Sequence, residues 1–243
     1  MSFSTVSSKT GFDPSKLSRG NITDNDKYSL KKAPILYDEK PILILTDEVE
    51  TPFGISEYID DKTKEKTHSI MIKPDTFEIM VLEELKKFVG ESLAKSPELF
   101  NANSKSWKQA AFSGPTDLRF KFPHDKNDKY GWQANAKVYM PKEGNPGTLL
   151  VGKSRNDVVT STDIAKRCYV RVTLSPHMYV MGDKAGFNCD CKAIRLISGP
   201  NTDHLKDMLF DDDEDNNNNN GGPPLKKAKE ESEEEILAPM HDA

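Results

Sequence analysis

Residues 168–197 read CYVRVTLSPHMYVMGDKAGFNCDCKAIRLI, and this stretch decides the fold. Apolar residues occupy every second position over 168–174, which predicts a β-strand with one buried face. Residues 181–184 read MGDK and predict a turn. Residues 186–197 then predict one more strand, the last of the folded part of the chain.

Further short strands are predicted upstream of this stretch. The apolar run PILIL at 41–45 predicts a buried strand. Segments 53–59 and 68–73 flank the charged sequence DDKTKEK, which is typical of a hairpin with an exposed tip. Apolar side chains also alternate with polar ones over 117–122 and 132–139, so both segments are predicted strands.

One helix interrupts the strands. Asp75 is predicted to cap its start, because Glu78 follows at the spacing of a capping box. Apolar residues then recur at helical intervals, and a stop is predicted at Gly90 or at Ser96–Pro97. Several short strands with one packed helix predict a mainly β fold, either a small barrel or a sandwich.

Charge and composition divide the chain into three parts. Residues 1–33 are rich in Ser, Thr, Lys and Asp without a sustained period, which predicts a flexible N-terminal arm. Residues 34–209 hold the apolar residues of a folded domain. Residues 210–243 predict a disordered tail with eleven acids and three lysines, a charge of −8. Because the whole chain carries −5, residues 1–209 carry +3.

Composition also disfavours several classes of protein. No apolar run approaches the roughly 18 residues of a membrane span, and the first 30 residues lack the apolar stretch of a signal peptide. The chain has three cysteines, an odd set without a secretion signal, which indicates reduced thiols. We therefore expect an intracellular protein that does not engage membranes.

Basic and aromatic side chains share the polar faces of three predicted strands. If the strands at 117–122 and 132–139 pair, their outer faces form one basic surface that carries an aromatic ring. Such a surface suits a single-stranded nucleic acid, since cations follow the phosphates and each stacked base contributes on the order of 1–3 kcal/mol. The alternative is an ordinary solvated sheet face. The residues concerned are Arg119, Lys121, Lys137, Tyr139, Arg167, Tyr169 and Arg171.

Trp107 lies between Lys105 and Lys108 in a stretch without helical or strand periodicity. A tryptophan in that setting is either a loop residue that stacks on a base or a lid packed on the mouth of the predicted barrel. We include all three residues in the predicted nucleic-acid site, and the choice between the two roles stays open.

Catalytic and metal-binding motifs have little support. Cys189 and Cys191 lack two further ligands at the spacing of a zinc site, so they are predicted to be small buried apolar residues. The chain has no phosphate-binding glycine loop, no nucleophile elbow and no His–Glu zinc helix. We therefore predict a protein that is not an enzyme and that uses no cofactor or metal.

The tail carries two further candidate sites. Its acidic side chains are predicted to compete with a polyanion for the basic surface and to bind partner proteins. The sequence PPLKKAK resembles a short nuclear localisation signal, which predicts the host nucleus or a viral replication compartment. The acidic set is Asp211, Asp212, Asp213, Glu214, Asp215, Glu233, Glu234 and Glu235, and the signal is Lys226, Lys227 and Lys229.

Residues 163–197 resemble the end of the barrel in the bacteriophage T7-type single-stranded DNA-binding proteins, relatives of which occur in large eukaryotic DNA viruses. The similar features are a strand with basic and aromatic residues, a glycine turn, and Gly186-Phe187 followed by Ala193-Ile194 and Leu196-Ile197. The resemblance implies an OB-fold-like five-stranded barrel with one packed α-helix, disordered termini and an acidic C-terminal tail.

The chain departs from that family at its C-terminus. Phage members typically end in an aromatic residue, whereas this chain ends Met240-His241-Asp242-Ala243. Phe210, or the pair Ile236-Leu237, is the nearest substitute, and a nuclear signal fits a virus of a eukaryote better than a phage.

The combined prediction is a protein that coats single-stranded DNA in replication, recombination or repair. Its acidic tail is expected to recruit a DNA polymerase and a helicase-primase, and tail exchange between copies would give a homodimer. Two alternatives remain. An acidic-tailed β-sandwich chaperone for basic proteins such as histones would share the tail, and an RNA-binding protein would share the basic faces.

Overall fold

The computed structural model describes residues 2–25, 30–60, 64–95, 119–129, 131–154, 157, 159–181 and 184–199. Within these residues the chain forms fourteen β-strands, one α-helix and one short 3-10 helix. The strands are β1 (Ser4–Val6), β2 (Leu17–Arg19), β3 (Thr23–Asn25), β4 (Leu30–Tyr37), β5 (Lys40–Leu45), β6 (Val49–Thr51), β7 (Ile55–Ile59), β8 (Lys66–Ile72), β9 (Arg119–Lys121), β10 (His124–Asn127), β11 (Gly131–Val138), β12 (Leu149–Val151), β13 (Cys168–Met181) and β14 (Lys184–Ser198). The helix α1 spans Thr76–Lys95, and the 3-10 helix spans Pro14–Lys16.

Strands β13 and β14 form a long antiparallel hairpin in which Tyr169 pairs with Ser198 and Met181 with Lys184. β13 has 14 residues and β14 has 15. The alternation predicted over 168–174 is confirmed, and it continues to the end of β13. Every second side chain of β13, from Cys168 to Val180, is buried. The intervening side chains therefore form one outer face along the whole strand.

Shorter strands line both free edges of this hairpin. Strands β6, β5 and β4 pair with successive segments of β13. Strands β12, β11 and β9 pair with successive segments of β14. The main path through the sheet is β1-β5-β4-β13-β14-β11-β8-β7. The prediction of a mainly β fold with one helix is thus confirmed. The prediction of a five-stranded barrel is corrected: the described strands form an open mixed sheet, because a hairpin this long offers edges for many partners.

Residues 1–33 differ from the predicted flexible arm. Their described part contributes β1, β2, β3 and the start of β4, each paired within the sheet. Val6 is 1% exposed, and the Phe12 ring stacks on Tyr37 with centroids 5.6 Å apart. Three-residue strands are too short to show a period, so the sequence pattern did not reveal them. The predicted domain boundary at residue 210 lies outside the described residues.

The helix confirms the part of the predicted capping box that Glu78 contributes, whereas the Asp75 side chain accepts the backbone N–H of Thr76. The fully buried carboxylate of Glu78 accepts the backbone N–H of Asp75 at 2.9 Å and that of Asp47 at 2.8 Å. One side chain thus caps the helix and fixes the end of β5 against it. The helix continues through Gly90, so the first predicted stop is wrong. Its described part reaches Lys95, and the second predicted stop, at residues 96–97, lies outside the described residues.

The remaining predicted strands near the N-terminal half are confirmed. Strand β5 buries Ile42 and Ile44, and β7 pairs with β8 as the predicted hairpin. Apolar side chains of α1, among them Val81 and Leu85, belong to the same core as the inner face of the sheet. Within the described part of the chain, no helix is both long enough and apolar enough to cross a membrane.

We predict that Gly186→Ala destabilises the fold. Gly186 pairs with Lys121 of β9 and has a φ of +151°, and a Cβ there would overlap the carbonyl oxygen of Lys121. The variant should lose about 2–3 kcal/mol in the free energy of unfolding measured with urea. Gly90→Ala is the control, because a Cβ at that helical position meets open space. It should gain about 0.5–1 kcal/mol, and equal losses in both variants would contradict this account.

Candidate nucleic-acid interface

A groove of about 490 Å³ crosses the outer face of the hairpin near the end of β13. Four lysines from four different strands line it together with Tyr179 and His177. We call it the lysine groove and define it by Lys32, Lys121, Lys137 and Lys184.

The pairing of the strands explains why these lysines meet. Lys32 of β4 lies opposite Tyr179 of β13. Strands β9 and β11 both run parallel to β14 along the same edge, where Lys121 pairs with Gly186 and Lys137 with Asp190. The predicted basic surface is conditional on pairing between the segments at 117–122 and 132–139. Within the described residues they instead share the edge of β14, which also merges their outer faces.

The predicted facing of β11 is confirmed at most positions. Ala134, Ala136 and Val138 are 3–4% exposed, whereas Lys137 is exposed on the other face. Trp132 is half-buried, and its ring stacks on that of His124 with centroids 6.0 Å apart. Lys121 is also exposed, as predicted, and Arg119 lies in β9 without a described side chain.

Tyr139 is held at the groove by polar contacts. Its hydroxyl donates to Oδ1 of Asp190 at 2.9 Å, and burial, reinforced by that carboxylate, raises the pKa of Tyr139. The Nζ of Lys137 lies 5.2 Å from the centroid of the Tyr139 ring. A base that stacks on this face of Tyr139 therefore has to move the lysine aside, which a phosphate near Lys137 would favour.

Lys32, Lys184 and Tyr179 are among the groove residues that the sequence did not identify. Lys32 lies in the predicted flexible arm, and Lys184 lies in the predicted turn at 181–184. Tyr179 lies beyond residue 174, where the predicted strand ended. The signal that could have found Tyr179 is the alternation Val172, Leu174, Pro176, Met178 and Val180, which runs through the proline without a break.

The second predicted stripe lies toward the other end of β13. Tyr169 and Arg171 point to the same outer face as Tyr179. Arg167 precedes the strand in a left-handed turn with a φ of 61°, and its backbone N–H donates to Thr51 at 2.8 Å. The predicted alternation therefore does not extend to Arg167, although its side chain is exposed.

Arg171 lies directly opposite Arg195 of β14 and lines a second cleft of about 660 Å³. Lys9 adds a third cation, and Leu45 and Leu149 add exposed apolar surface. Two like charges at opposed positions of an antiparallel pair destabilise a sheet. An anion bound between them would offset that repulsion.

Other predicted site residues lie outside the described part of the chain. These are Lys105, Trp107 and Lys108, the acidic set at 211–215 and 233–235, and the lysines of the nuclear signal at 226–229. Their predicted roles stay predictions.

The cysteines are buried, as predicted. Cys168, Cys189 and Cys191 are 0–2% exposed and unpaired. Burial raises the pKa of the Cys191 thiol to about 12, so it is protonated and unreactive at neutral pH. Among the described residues, no group of three His, Cys, Asp or Glu side chains has a geometry that could hold a metal ion.

A buried histidine connects the helix to the sheet beside the groove. His124 Nε2 donates to Oε1 of Glu83 on α1 at 2.7 Å, and Nδ1 is buried without a partner among the described residues. The rings of Phe122, Trp132 and Phe187 surround the imidazole. Burial lowers the pKa of His124 more than Glu83 raises it, so the ring is neutral at neutral pH.

Comparison with solved structures gives matches of low sequence identity. A single-stranded DNA-binding protein from bacteriophage Enc34 in complex with ssDNA is 13% identical, with a TM-score of 0.39, over 75% of this chain and 96% of that chain. The protein gp2.5, a single-stranded DNA-binding protein encoded by bacteriophage T7, is 14% identical, with a TM-score of 0.43, over 74% of this chain and 98% of that chain. No protein-family model matches the chain, and no curated protein is significantly similar to it.

We predict that acid destabilises the protein partly through His124. Its pKa is lowered in the folded state, so the unfolded chain binds the proton first as the pH falls below about 6.5. Stability should therefore decrease from there downward, and His177, whose pKa burial also lowers, acts in the same direction. His124→Phe should flatten the slope between pH 6.5 and 4.5 in urea unfolding. An unchanged slope would show that His124 is charged when folded.

Proposed function

We propose that the protein is a non-enzymatic single-stranded DNA-binding protein that coats ssDNA during replication, recombination or repair. The observation that supports it is the lysine groove, in which cations from four strands line one surface beside Tyr139 and Tyr179. A single strand supplies both chemistries that such a surface accommodates, namely regularly spaced phosphates and planar bases.

In the proposed mechanism, basic side chains bind the phosphates and aromatic rings stack on the bases. The lysines neutralise phosphates and release counterions, which makes affinity fall as salt rises. Tyr139 and Tyr169 offer half-exposed rings for stacking, and Tyr179 lines the groove with only 6% of its surface exposed. Arg119, Arg167 and Arg171 extend the proposed path along the outer face, and Lys105, Trp107 and Lys108 remain its proposed loop contacts.

The basic groove argues against a chaperone for basic clients. Residues 1–209 carry +3, and the lysine groove concentrates positive charge at one place. A histone or similar cationic protein would be repelled there, whereas a polyanion is attracted.

We propose three roles for the acidic tail. With a charge of −8, the tail occupies the lysine groove when no strand is bound, and an incoming strand has to displace it. Once a strand displaces it, the tail docks on a polymerase or a helicase-primase, and the KKAK signal directs the protein to the nucleus. The charge of the sequence is what supports this proposal.

We expect Lys121→Gln and Lys137→Gln to weaken binding of a labelled oligothymidine in fluorescence anisotropy. Each lost phosphate contact should reduce the slope of log K against log salt by about 0.7. Lys16→Gln is the control, since Lys16 is engaged with Asp38 at 3.0 Å and does not line the groove. If the control changes the slope as much as the groove variants do, the groove is not the binding surface.

Removing residues 211–243 should tighten binding of the same oligonucleotide at low salt, because a competing polyanion is lost. The difference between the two forms should shrink at high salt, where both interactions are screened. Weaker binding after truncation would overturn the competition mechanism without affecting the proposed groove.

A further inference from the structure

One carboxylate lies among the cations of the lysine groove. Asp190 pairs in register with Lys137 on one side and with Ser175 on the other. Its side chain is 18% exposed, and the residue lines the groove. A fixed negative charge at this position repels phosphates, so it does not help to bind the backbone of a nucleic acid.

The two oxygens of Asp190 have different surroundings. Oδ1 accepts the hydroxyl proton of Tyr139 at 2.9 Å. Oδ2 lies 3.7 Å from Nδ1 of His177 and 3.9 Å from Nζ of Lys192. Both distances exceed those of a hydrogen bond. Within the described part of the chain, Oδ2 is therefore a charged acceptor without a donor, on a carboxylate whose orientation Tyr139 fixes.

An ion pair with a lysine does not account for this carboxylate. Lys137, its partner in register, places Nζ over the ring of Tyr139. Lys192 is the extra residue at a register shift of β14, and its half-exposed ammonium lies 3.9 Å away, where an ion pair contributes little.

We propose, on the basis of the function above, that Asp190 reads bases. Its Oδ2 accepts a hydrogen bond from an exocyclic amino group, while the surrounding lysines hold the phosphates. Cytosine, adenine and guanine carry such an amine, and thymine and uracil carry carbonyl oxygens instead. The groove therefore discriminates among single strands by their content of amino-bearing bases.

Cytosine and uracil give the sharpest comparison. The two bases have similar size and stacking, and they differ at positions 3 and 4. At position 4 cytosine has an amine and uracil a carbonyl, and at position 3 cytosine has an acceptor nitrogen and uracil an N–H. The amine donates to the carboxylate, whereas the carbonyl oxygen faces it with like charge. Selectivity thus comes from attraction of one base and repulsion of the other.

The test measures the dissociation constants of the full chain for oligodeoxycytidine and oligodeoxyuridine of equal length, at one salt concentration and pH 8. The wild type should bind the cytidine strand about tenfold more tightly, in line with one hydrogen bond to a charged acceptor. Asp190→Asn removes a negative charge from a cationic groove. It should bind the uridine strand more tightly than the wild type does, with the ratio of the two constants close to one.

Two further variants separate base reading from general electrostatics. Tyr139→Phe keeps the charge of Asp190 but frees its orientation, so the ratio should fall without a gain for uridine. Asp38→Asn makes the same change of charge outside the groove, at a residue with a φ of 49° that asparagine tolerates. It should leave the tenfold ratio intact.

The possible failures are distinguishable. If the wild type binds neither strand, the proposed function itself is wrong. If it binds both but shows no preference for cytidine, or if Asp190→Asn keeps the wild-type ratio, the inference about Asp190 is overturned and the proposed function stands. A parallel loss of affinity for both strands in Asp190→Asn would also overturn base reading, because it would indicate a structural role.

Discussion

The antiparallel pairing of β13 with β14 is the interaction on which the rest of the sheet depends. Each free edge of this hairpin accepts three shorter strands in succession, so a single pairing organises most of the described fold. Two register shifts, which leave Lys192 and Ile197 of β14 unpaired, interrupt the ladder. Such shifts increase local twist, and they lie beside the segments of β13 that pair with β5 and β6. The outer face of β13 nonetheless stays continuous, which brings both predicted basic stripes onto one surface.

The parts of the fold that were predictable from the sequence are those with a local pattern of adequate length. The helix was predictable because Asp75 and Glu78 lie within one turn, and β5 because its apolar residues are contiguous. That the sheet stays open was not predictable, since closure into a barrel depends on which distant edges meet. β9 shows the same limit. This three-residue strand pairs with β14 because Gly186, which has no side chain, leaves room for the backbone of Lys121. That requirement comes from a tertiary contact, which the local sequence pattern does not reveal.

The candidate site was predictable only in part for a related reason. Lys121 and Lys137 were predicted from alternation, but Lys32 and Lys184 enter the groove through pairing with β13 and β14. Asp190 was not predicted as a site residue, because in the sequence it lies between two buried cysteines. The structure places it among the lysines that line the groove. Placing like charges together destabilises a folded protein unless a ligand or counterion offsets the repulsion.

The position of the hairpin late in the chain has a consequence for biosynthesis. Strands β1 to β12 all precede it, and six of them pair directly with it, so these six leave the ribosome before their partner. The six strands are β4, β5, β6, β9, β11 and β12. Local pairs such as β7 with β8 can form early, but β4, β6, β9 and β12 then expose unpaired backbone edges. Assembly of the sheet therefore waits for the last described strands and depends on contacts between residues distant in sequence, a topology that slows folding. The same order leaves a chain that has not yet reached β14 without Lys184 and without the edge along which Lys121 and Lys137 lie.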